Sequence, residues 1–199
     1  MKRWPLLAAL VASLVAIMAI ISISPASARH HRHGVDAPGP VTPGSGEAGA
    51  CRDGLSDGTP QVELRHIFCG EINRRSLAVG FHSRPNGVNP ASVSGTGEPR
   101  PIRAYPGLYN LTRFQITQDG QTETKGISTF YPDKCSAGDV IAAIQYAYTH
   151  GRRGGAKFSG LSGPSCTDDN GKPFPITGFS GGRGGERIRT GYPDIRGER

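Results

Sequence analysis

The first 28 residues indicate which part of this chain forms the folded protein and in which compartment that part folds. Met1–Arg3 carry positive charge, Leu6–Ile23 form an apolar run, and Ala26–Ala28 have the small-residue pattern that precedes signal-peptidase cleavage. The alternative is an uncleaved membrane anchor, since about 18 apolar residues can span a bilayer, but the Ala-Ser-Ala site favours cleavage. We therefore expect a signal peptide over residues 1–28, a secreted protein that is extracellular or periplasmic, and no stable membrane association afterwards.

Export to an oxidising compartment changes how the four cysteines are interpreted. An even number of cysteines in such a compartment predicts two disulfides, for which three connectivities are possible. We prefer Cys51–Cys69 with Cys135–Cys166, because each of these bonds closes a short local loop. A zinc site is the alternative, since His66 and Cys69 have the spacing of metal ligands, although no Cys-x-x-Cys pair accompanies them.

Cleavage after residue 28 leaves 171 of the 199 residues, and the net charge falls from +7 to +5 because Lys2 and Arg3 are lost. This length allows one domain of ordinary size and excludes a multidomain machine. The 29 glycines and 16 prolines predict long loops, and the basic charge favours an anionic partner. Residues 29–61, rich in Pro, Gly and His, are expected to form a flexible segment, which leaves residues 62–199 as the folded domain.

One helix and several short strands are predicted within that domain. Ser136–Asp139 resembles a capping box with Asp in place of the usual Glu, and apolar residues from Val140 to Tyr148 lie on one helical stripe that ends at Gly151. The predicted strands are Val62–Cys69, Leu77–Ser83, Leu108–Thr117, Lys125–Tyr131 and Arg187–Tyr192. The fold class is therefore α+β, with residues 152–175 as an insertion or long hairpin of unassigned role.

Alternation along the strands suggests which polar side chains are available for chemistry. A strand that buries Leu77, Val79 and Phe81 turns His82 to its other face. Lys125 shares a strand face with Thr129, and Thr190 shares one with Tyr192. Histidines with a lysine and hydroxyls suit phosphodiester transesterification, which needs a base, an acid and a cation at the phosphate. Each residue also has an ordinary structural explanation, so that spacing alone leaves the function open.

Four sequence segments in order resemble the bacterial branch of the EndoU endoribonuclease family. They are His66–Ile72, Gly80–Ser83, Lys125–Pro132 and Thr190–Pro193. The resemblance extends from about Val62 to Asp194, which is nearly all of the predicted domain. It implies two antiparallel sheets that flank an active-site cleft, with at least one packed helix.

The resemblance also implies an activity and a set of site residues. Family members cleave RNA to leave a 2′,3′-cyclic phosphate and often prefer uridine. By position, His82 corresponds to the general base, His66 to the general acid and Lys125 to the transition-state cation. The implied substrate-binding positions are the backbone N–H of Gly80, the hydroxyl of Thr129 or less favourably Ser128, and the pair Thr190 and Tyr192. No cofactor is expected to be required, although metal dependence, for example on Mn, varies within the family.

Three classes of function are compatible with these features. The first is an exported endoribonuclease, in one form an antagonistic toxin with a cognate inhibitor or immunity protein. The second is a catalytically inactive, basic, secreted protein that binds RNA or another polyanion, as suggested by Arg183, Arg187, Arg189 and Arg196. The third is a disulfide-stapled structural protein. The presence of both histidines and the lysine together favours the enzyme.

Overall fold

The structure is a computed structural model, and it describes residues 51–182 and 186–195. The predicted signal peptide, residues 29–50 of the predicted flexible segment, Arg183 and Arg196 lie outside the described residues. No helix within the described ranges is both long enough and apolar enough to cross a membrane.

Short strands dominate the described chain, together with one long helix. In chain order the elements are β1 (Gln61–Val62), α1 (Leu64–Phe68), β2 (Glu71–Ile72), β3 (Ala78–Val79), a 3-10 turn (Pro85–Gly87), β4 (Val93–Ser94), β5 (Arg100–Pro101), β6 (Tyr109–Gln118), β7 (Gln121–Phe130), α2 (Ala137–His150), β8 (Arg152–Gly154), β9 (Lys157–Leu161), β10 (Pro175–Gly181) and β11 (Arg187–Pro193). This composition confirms the predicted α+β class.

The strands assemble into two main sheets and a small ladder. The first sheet has the order β1-β11-β10-β9-β8, and all neighbours are antiparallel except β1, which runs parallel to β11. The second sheet is built on the antiparallel β6–β7 hairpin, with β4 and β5 also paired to β6. Strands β2 and β3 pair only with each other.

Each main sheet has its own hydrophobic core. In the first core, the apolar face of α2 packs with sheet residues such as Phe158, Ile176 and Ile188, all of which are fully or almost fully buried. The second core surrounds the β6–β7 hairpin and includes Phe81, whose ring packs edge-on against Phe130 at a centroid distance of 4.8 Å. Two separately packed layers therefore support the two walls of the cleft described below.

Helix α2 begins and ends where the sequence predicts. The Ser136 hydroxyl accepts a hydrogen bond from the Asp139 backbone N–H, and the Asp139 carboxylate accepts one from the Ser136 backbone N–H. This reciprocal capping box satisfies two N–H groups that would otherwise have no partner. The helix ends at Gly151, and its buried face carries Val140, Ile144 and Ala147.

Two of the predicted strands are wrong in ways that affect the site. Residues 64–68 form α1 rather than a strand, because Leu64, Ile67 and Phe68 have the i, i+3, i+4 spacing of a helical apolar face. The strand predicted from residue 77 ends at Val79, because the next two residues have positive φ angles. Leu77, predicted to be buried in this strand, lies outside it and is 55% exposed.

Residues at both ends of the predicted domain also contribute to the fold. Residues 152–175 form the β8–β9 hairpin and the connection to β10, so they complete the first sheet. Residues before Gln61, predicted to belong to the flexible segment, contact the domain: Leu55 bridges to Glu63, and the Val62 N–H donates to the Ser56 hydroxyl at 2.9 Å.

The disulfides have the pairing preferred from the sequence. Cys51 is bonded to Cys69, and Cys135 is bonded to Cys166. The zinc alternative is wrong, because the sulfur of Cys69 is used in a disulfide. The first bond anchors the end of α1, and the second ties the residues before α2 to the loop that follows β9.

Candidate active site

A cleft of about 730 Å³ lies between strands β7 and β11, one from each main sheet. The structure brings all the sequence-predicted site residues to this cleft, namely His66, Gly80, His82, Lys125, Ser128, Thr129, Thr190 and Tyr192. Strand β7 contributes the lysine and two of the hydroxyl residues, whereas β11 contributes the Thr-x-Tyr pair. The fold therefore joins segments that are far apart in the sequence into one site.

Helix α1 carries the first histidine, and the strand that follows supplies its partner. His66 Nδ1 lies 2.8 Å from a carboxylate oxygen of Glu71 on β2. Because a carboxylate only accepts, Nδ1 is the donor, and Nε2 is the nitrogen left to exchange protons. This hydrogen bond lowers the pKa of the Glu71 carboxyl. The Glu71 carboxylate therefore places a negative charge beside His66.

The second histidine reaches the cleft through a turn with left-handed backbone. Gly80 and Phe81 have φ angles of +74° and +57°, and the Phe81 ring enters the second core. The backbone N–H groups of Phe81 and His82 donate to carbonyls of His66 and Ile67, each at 2.8 Å. These hydrogen bonds therefore fix the His82 backbone to α1. The sequence prediction that strand alternation exposes His82 is wrong, because a turn and not a strand holds this residue.

Among the described residues, no acidic side chain forms a hydrogen bond or ion pair with His82, in contrast to His66. His82 Nδ1 lies 2.9 Å from the Ser128 hydroxyl oxygen and 3.1 Å from the Thr129 carbonyl oxygen. Burial, followed by the nearby charges of His66 and Lys125, lowers the pKa of His82 well below the ordinary value of 6.5. The structure therefore favours a neutral imidazole at this position.

The two imidazole rings face each other across the cleft. Their centroids are 5.9 Å apart, with an interplanar angle of 33°. The Tyr192 ring stacks on His82 at a centroid distance of 5.2 Å, which limits how the imidazole can tilt. Both imidazoles line the cleft, so one ligand bound there can contact both rings.

The predicted cation lies in the same cleft and is partly removed from solvent. Lys125 extends from β7, and no carboxylate in the described ranges forms an ion pair with its ammonium group. Burial lowers the pKa of Lys125. A cation that lacks a protein counter-charge and is partly desolvated is suited to an anionic ligand.

Hydroxyl groups line the rest of the cleft. The Thr129 hydroxyl donates to the Asn110 side-chain carbonyl at 3.0 Å, across the β6–β7 pairing. Thr190 Oγ1 is buried and has no hydrogen-bond partner within the described part of the chain. Buried hydroxyls normally have partners, so Thr190 is suited to a ligand or water in the cleft.

Comparison with known proteins identifies the family of this chain. The sequence profile described as bacterial EndoU nuclease matches residues 60–195. The chain belongs to the bacterial EndoU nuclease family. A protein named Toxin from Bacillus cereus (strain ATCC 14579) is 34% identical over 88 residues, which cover 44% of this chain and 15% of that protein. The chain thus matches a small part of that relative's length, and no solved structure gives a significant match.

Two residues of this EndoU site were not singled out from the sequence. Glu71 lies within the His66–Ile72 segment, so its five-residue separation from His66 was a usable signal. Asn110 gave no local signal, because it reaches Thr129 only through the register of the β6–β7 hairpin. Both residues contact predicted site residues through their side chains.

Of the arginines considered for a polyanion-binding surface, the structure describes Arg187 and Arg189, and neither lines the cleft. Arg187 and Arg189 both approach Glu63, with N–O distances of 2.8 and 3.9 Å. One carboxylate therefore offsets part of their charge. Within the described residues, no group of three or more His, Cys, Asp or Glu side chains is arranged to hold a metal ion.

Proposed function

We propose that this EndoU nuclease is an exported endoribonuclease that cleaves RNA by attack of the ribose 2′-OH on the adjacent phosphate. The observation that carries the proposal is the pair of facing histidines with different partners, beside a lysine that has no carboxylate partner in the described chain. This combination offers a base, an acid and a cation within one cleft.

The different partners of the two histidines support one division of the proton-transfer roles. A general base must begin neutral, and burial, followed by the nearby charges of His66 and Lys125, favours the neutral form of His82. A general acid must give up a proton, and the Glu71 carboxylate accepts from Nδ1–H of His66, which leaves Nε2 as the nitrogen that can do so. His82 then removes the 2′-OH proton, and His66 protonates the leaving 5′-oxygen. The products are a 2′,3′-cyclic phosphate and a free 5′-OH.

The remaining cleft residues bind the substrate. Lys125 stabilises the negative charge that grows on the phosphate oxygens in the transition state. The hydroxyls of Thr129 and Thr190 and the ring of Tyr192 contact the nucleotide, with uridine as the preferred base. The reaction as written needs no metal or other cofactor.

The predicted export signal and the relative named Toxin support a proposal for the biological setting. We propose that the protein is secreted, is stabilised by its two disulfides and acts as an antagonistic toxin against other cells. A producer of such a toxin needs protection, so a cognate immunity protein that binds the nuclease is the expected second partner after RNA.

The experiment that tests the activity uses the mature, oxidised protein with mixed-sequence RNA in the presence of a chelator. The expected result is cleavage with 2′,3′-cyclic phosphate ends, and His66→Ala or His82→Ala should each lower the rate by roughly 10² to 10⁴. Arg187→Ala is a matched control outside the cleft and should cleave at the parent rate. RNA binding without any cleavage would instead support the inactive polyanion binder, and cleavage only with added metal would refute the metal-free mechanism.

A further inference from the structure

Ser128 is placed behind the imidazole of His82 rather than in the open part of the cleft. Its side chain is almost fully buried, with 4% exposure. The hydroxyl oxygen lies 2.8 Å from the Phe81 carbonyl, 3.3 Å from the Gly80 carbonyl and 2.9 Å from His82 Nδ1. These protein contacts occupy the hydroxyl, so it has little capacity left for a substrate.

The contacts around His82 define which nitrogen carries the proton. The Thr129 carbonyl can only accept a hydrogen bond, and it lies 3.1 Å from Nδ1. Nδ1 must therefore be the N–H in the neutral ring. The Ser128 hydroxyl has one hydrogen, and the Phe81 carbonyl is its nearest pure acceptor. Nδ1–H of His82 therefore donates to Ser128 Oγ, and the Ser128 hydroxyl donates to the Phe81 carbonyl.

We propose that Ser128 is a positioning residue that holds His82 in the Nδ1–H tautomer, which leaves the lone pair of Nε2 to accept the 2′-OH proton. The inference rests on the proposed endoribonuclease function and deepens it. It also replaces the substrate-binding role considered for Ser128 from the sequence, while Thr129 keeps that role through its side chain.

The proton balance of the reaction is consistent with this role. As the bond from the 2′-oxygen to phosphorus forms, its proton moves to Nε2 of His82. As the bond from phosphorus to the 5′-oxygen breaks, His66 gives a proton to that oxygen. His82 is then an imidazolium whose Nδ1–H still donates to Ser128 Oγ and to the Thr129 carbonyl. Water afterwards returns both histidines to their starting states.

This polar support matters because the nearby positive charges oppose protonation of His82. The charged groups that act on it are His66 from α1 and Lys125 from β7, and both raise the cost of a second positive charge. Tyr192 from β11 covers one face of the ring, and Asp194, just after β11, is a carboxylate that lines the same cleft. Hydrogen bonds that accept from Nδ1–H therefore stabilise the imidazolium locally.

The test compares Ser128→Ala with the parent by ¹⁵N NMR of histidine-labelled protein without RNA, and by cleavage kinetics. In the parent above the His82 titration, Nε2 should have the chemical shift of a bare nitrogen and Nδ1 that of an N–H. In Ser128→Ala the two shifts should move towards each other. One lost hydrogen bond, with the Thr129 carbonyl still in place, should lower kcat about threefold to tenfold with little change in KM.

Two further variants separate positioning from general structural loss and from substrate binding. Ser162→Ala removes another fully buried hydroxyl that lies outside the cleft and accepts from the Phe174 N–H; it should lower stability but leave the His82 shifts and kcat unchanged. Thr129→Val keeps the backbone carbonyl, so it should leave the His82 shifts unchanged while it raises KM or alters base preference.

Several results would overturn the role of Ser128 without affecting the proposed function. These are a parent spectrum with the proton on Nε2, unchanged shifts in Ser128→Ala, or an effect of Ser128→Ala on KM alone. Failure of the parent protein to cleave RNA would instead refute the proposed function. The NMR result needs no RNA, so the two failures are distinguishable.

Discussion

A methyl group added at Gly80 should separate the two histidines, because this glycine lies directly between their backbones. Its φ angle of +74° is in the left-handed region, and an added Cβ would lie 2.2 Å from the His66 carbonyl oxygen. Relief of that contact requires a shift of about 1 Å, which neither backbone can make without loss of the Phe81 N–H to His66 carbonyl hydrogen bond.

The expected cost of Gly80→Ala follows from these two effects. A non-glycine residue in the left-handed region costs about 1–2 kcal/mol, and the lost hydrogen bond adds about 1 kcal/mol. The free energy of unfolding should therefore fall by about 2–3 kcal/mol, which lowers Tm by roughly 5–10 °C. Since a misplacement of about 1 Å in an active site can cost 10²-fold, kcat should fall by about that factor.

The assay measures single-turnover RNA cleavage at a temperature where circular dichroism shows the variant to be folded, and thermal unfolding is measured separately. Gly126→Ala is the matched control, since Gly126 neighbours Lys125 on β7 but has no atom within 4 Å of an added Cβ. That change should preserve the rate and raise stability by about 0.5–1 kcal/mol. If Gly80→Ala has the parent Tm and rate, the close contact does not position the histidines.

Four further predictions test individual contacts. Lys125→Met should lower kcat by about 10² to 10³ with little change in affinity for a 2′-deoxy analogue measured by fluorescence anisotropy, and a parent rate at saturating RNA would refute its role. Glu71→Gln should lower kcat about tenfold, because His66 loses its counter-charge; an unchanged pH–rate profile would refute this. Urea unfolding should show stability falling as the pH drops below 6.5, because His82 gains a proton in the unfolded chain before it does so in the folded one, and His82→Gln should remove that part of the slope. Replacement of both Cys51 and Cys69 by Ser should cost about 3 kcal/mol for a separation of 18 residues, and a loss below about 1 kcal/mol would contradict the estimate of loop entropy.

Elements defined by local interactions could be predicted from the sequence. Helix α2 needs only the capping pair Ser136 and Asp139 and a stripe of apolar residues, all of which lie within one short stretch. The long β6–β7 hairpin has clear alternation, and its strands were predicted to within a few residues. The disulfide preference was also a local argument, since both bonds close short loops.

Elements held by tertiary contacts were missed for the same physical reason. Helix α1 has five residues, which is too short to be stable alone, and the disulfide at Cys69 and burial of Ile67 and Phe68 hold it in place. The turn at Phe81 places a bulky side chain at positive φ, which local preferences disfavour. Burial of its ring in the second core compensates for that backbone conformation.

The hydrogen-bond partners of the two histidines differ in how easily they can be predicted from the sequence. The partner of His66 lies five residues away on the neighbouring strand, so a short motif contains both the imidazole and the carboxylate that accepts from its Nδ1–H. The partners of His82 lie 46 and 47 residues away, on β7, and reach it only when the second sheet has folded. A serine hydroxyl and a backbone carbonyl have no distinctive sequence signature. The surroundings that favour a neutral His82, the proposed base, are therefore formed only by the assembled cleft, whereas the carboxylate beside His66, the proposed acid, lies in the same short sequence segment.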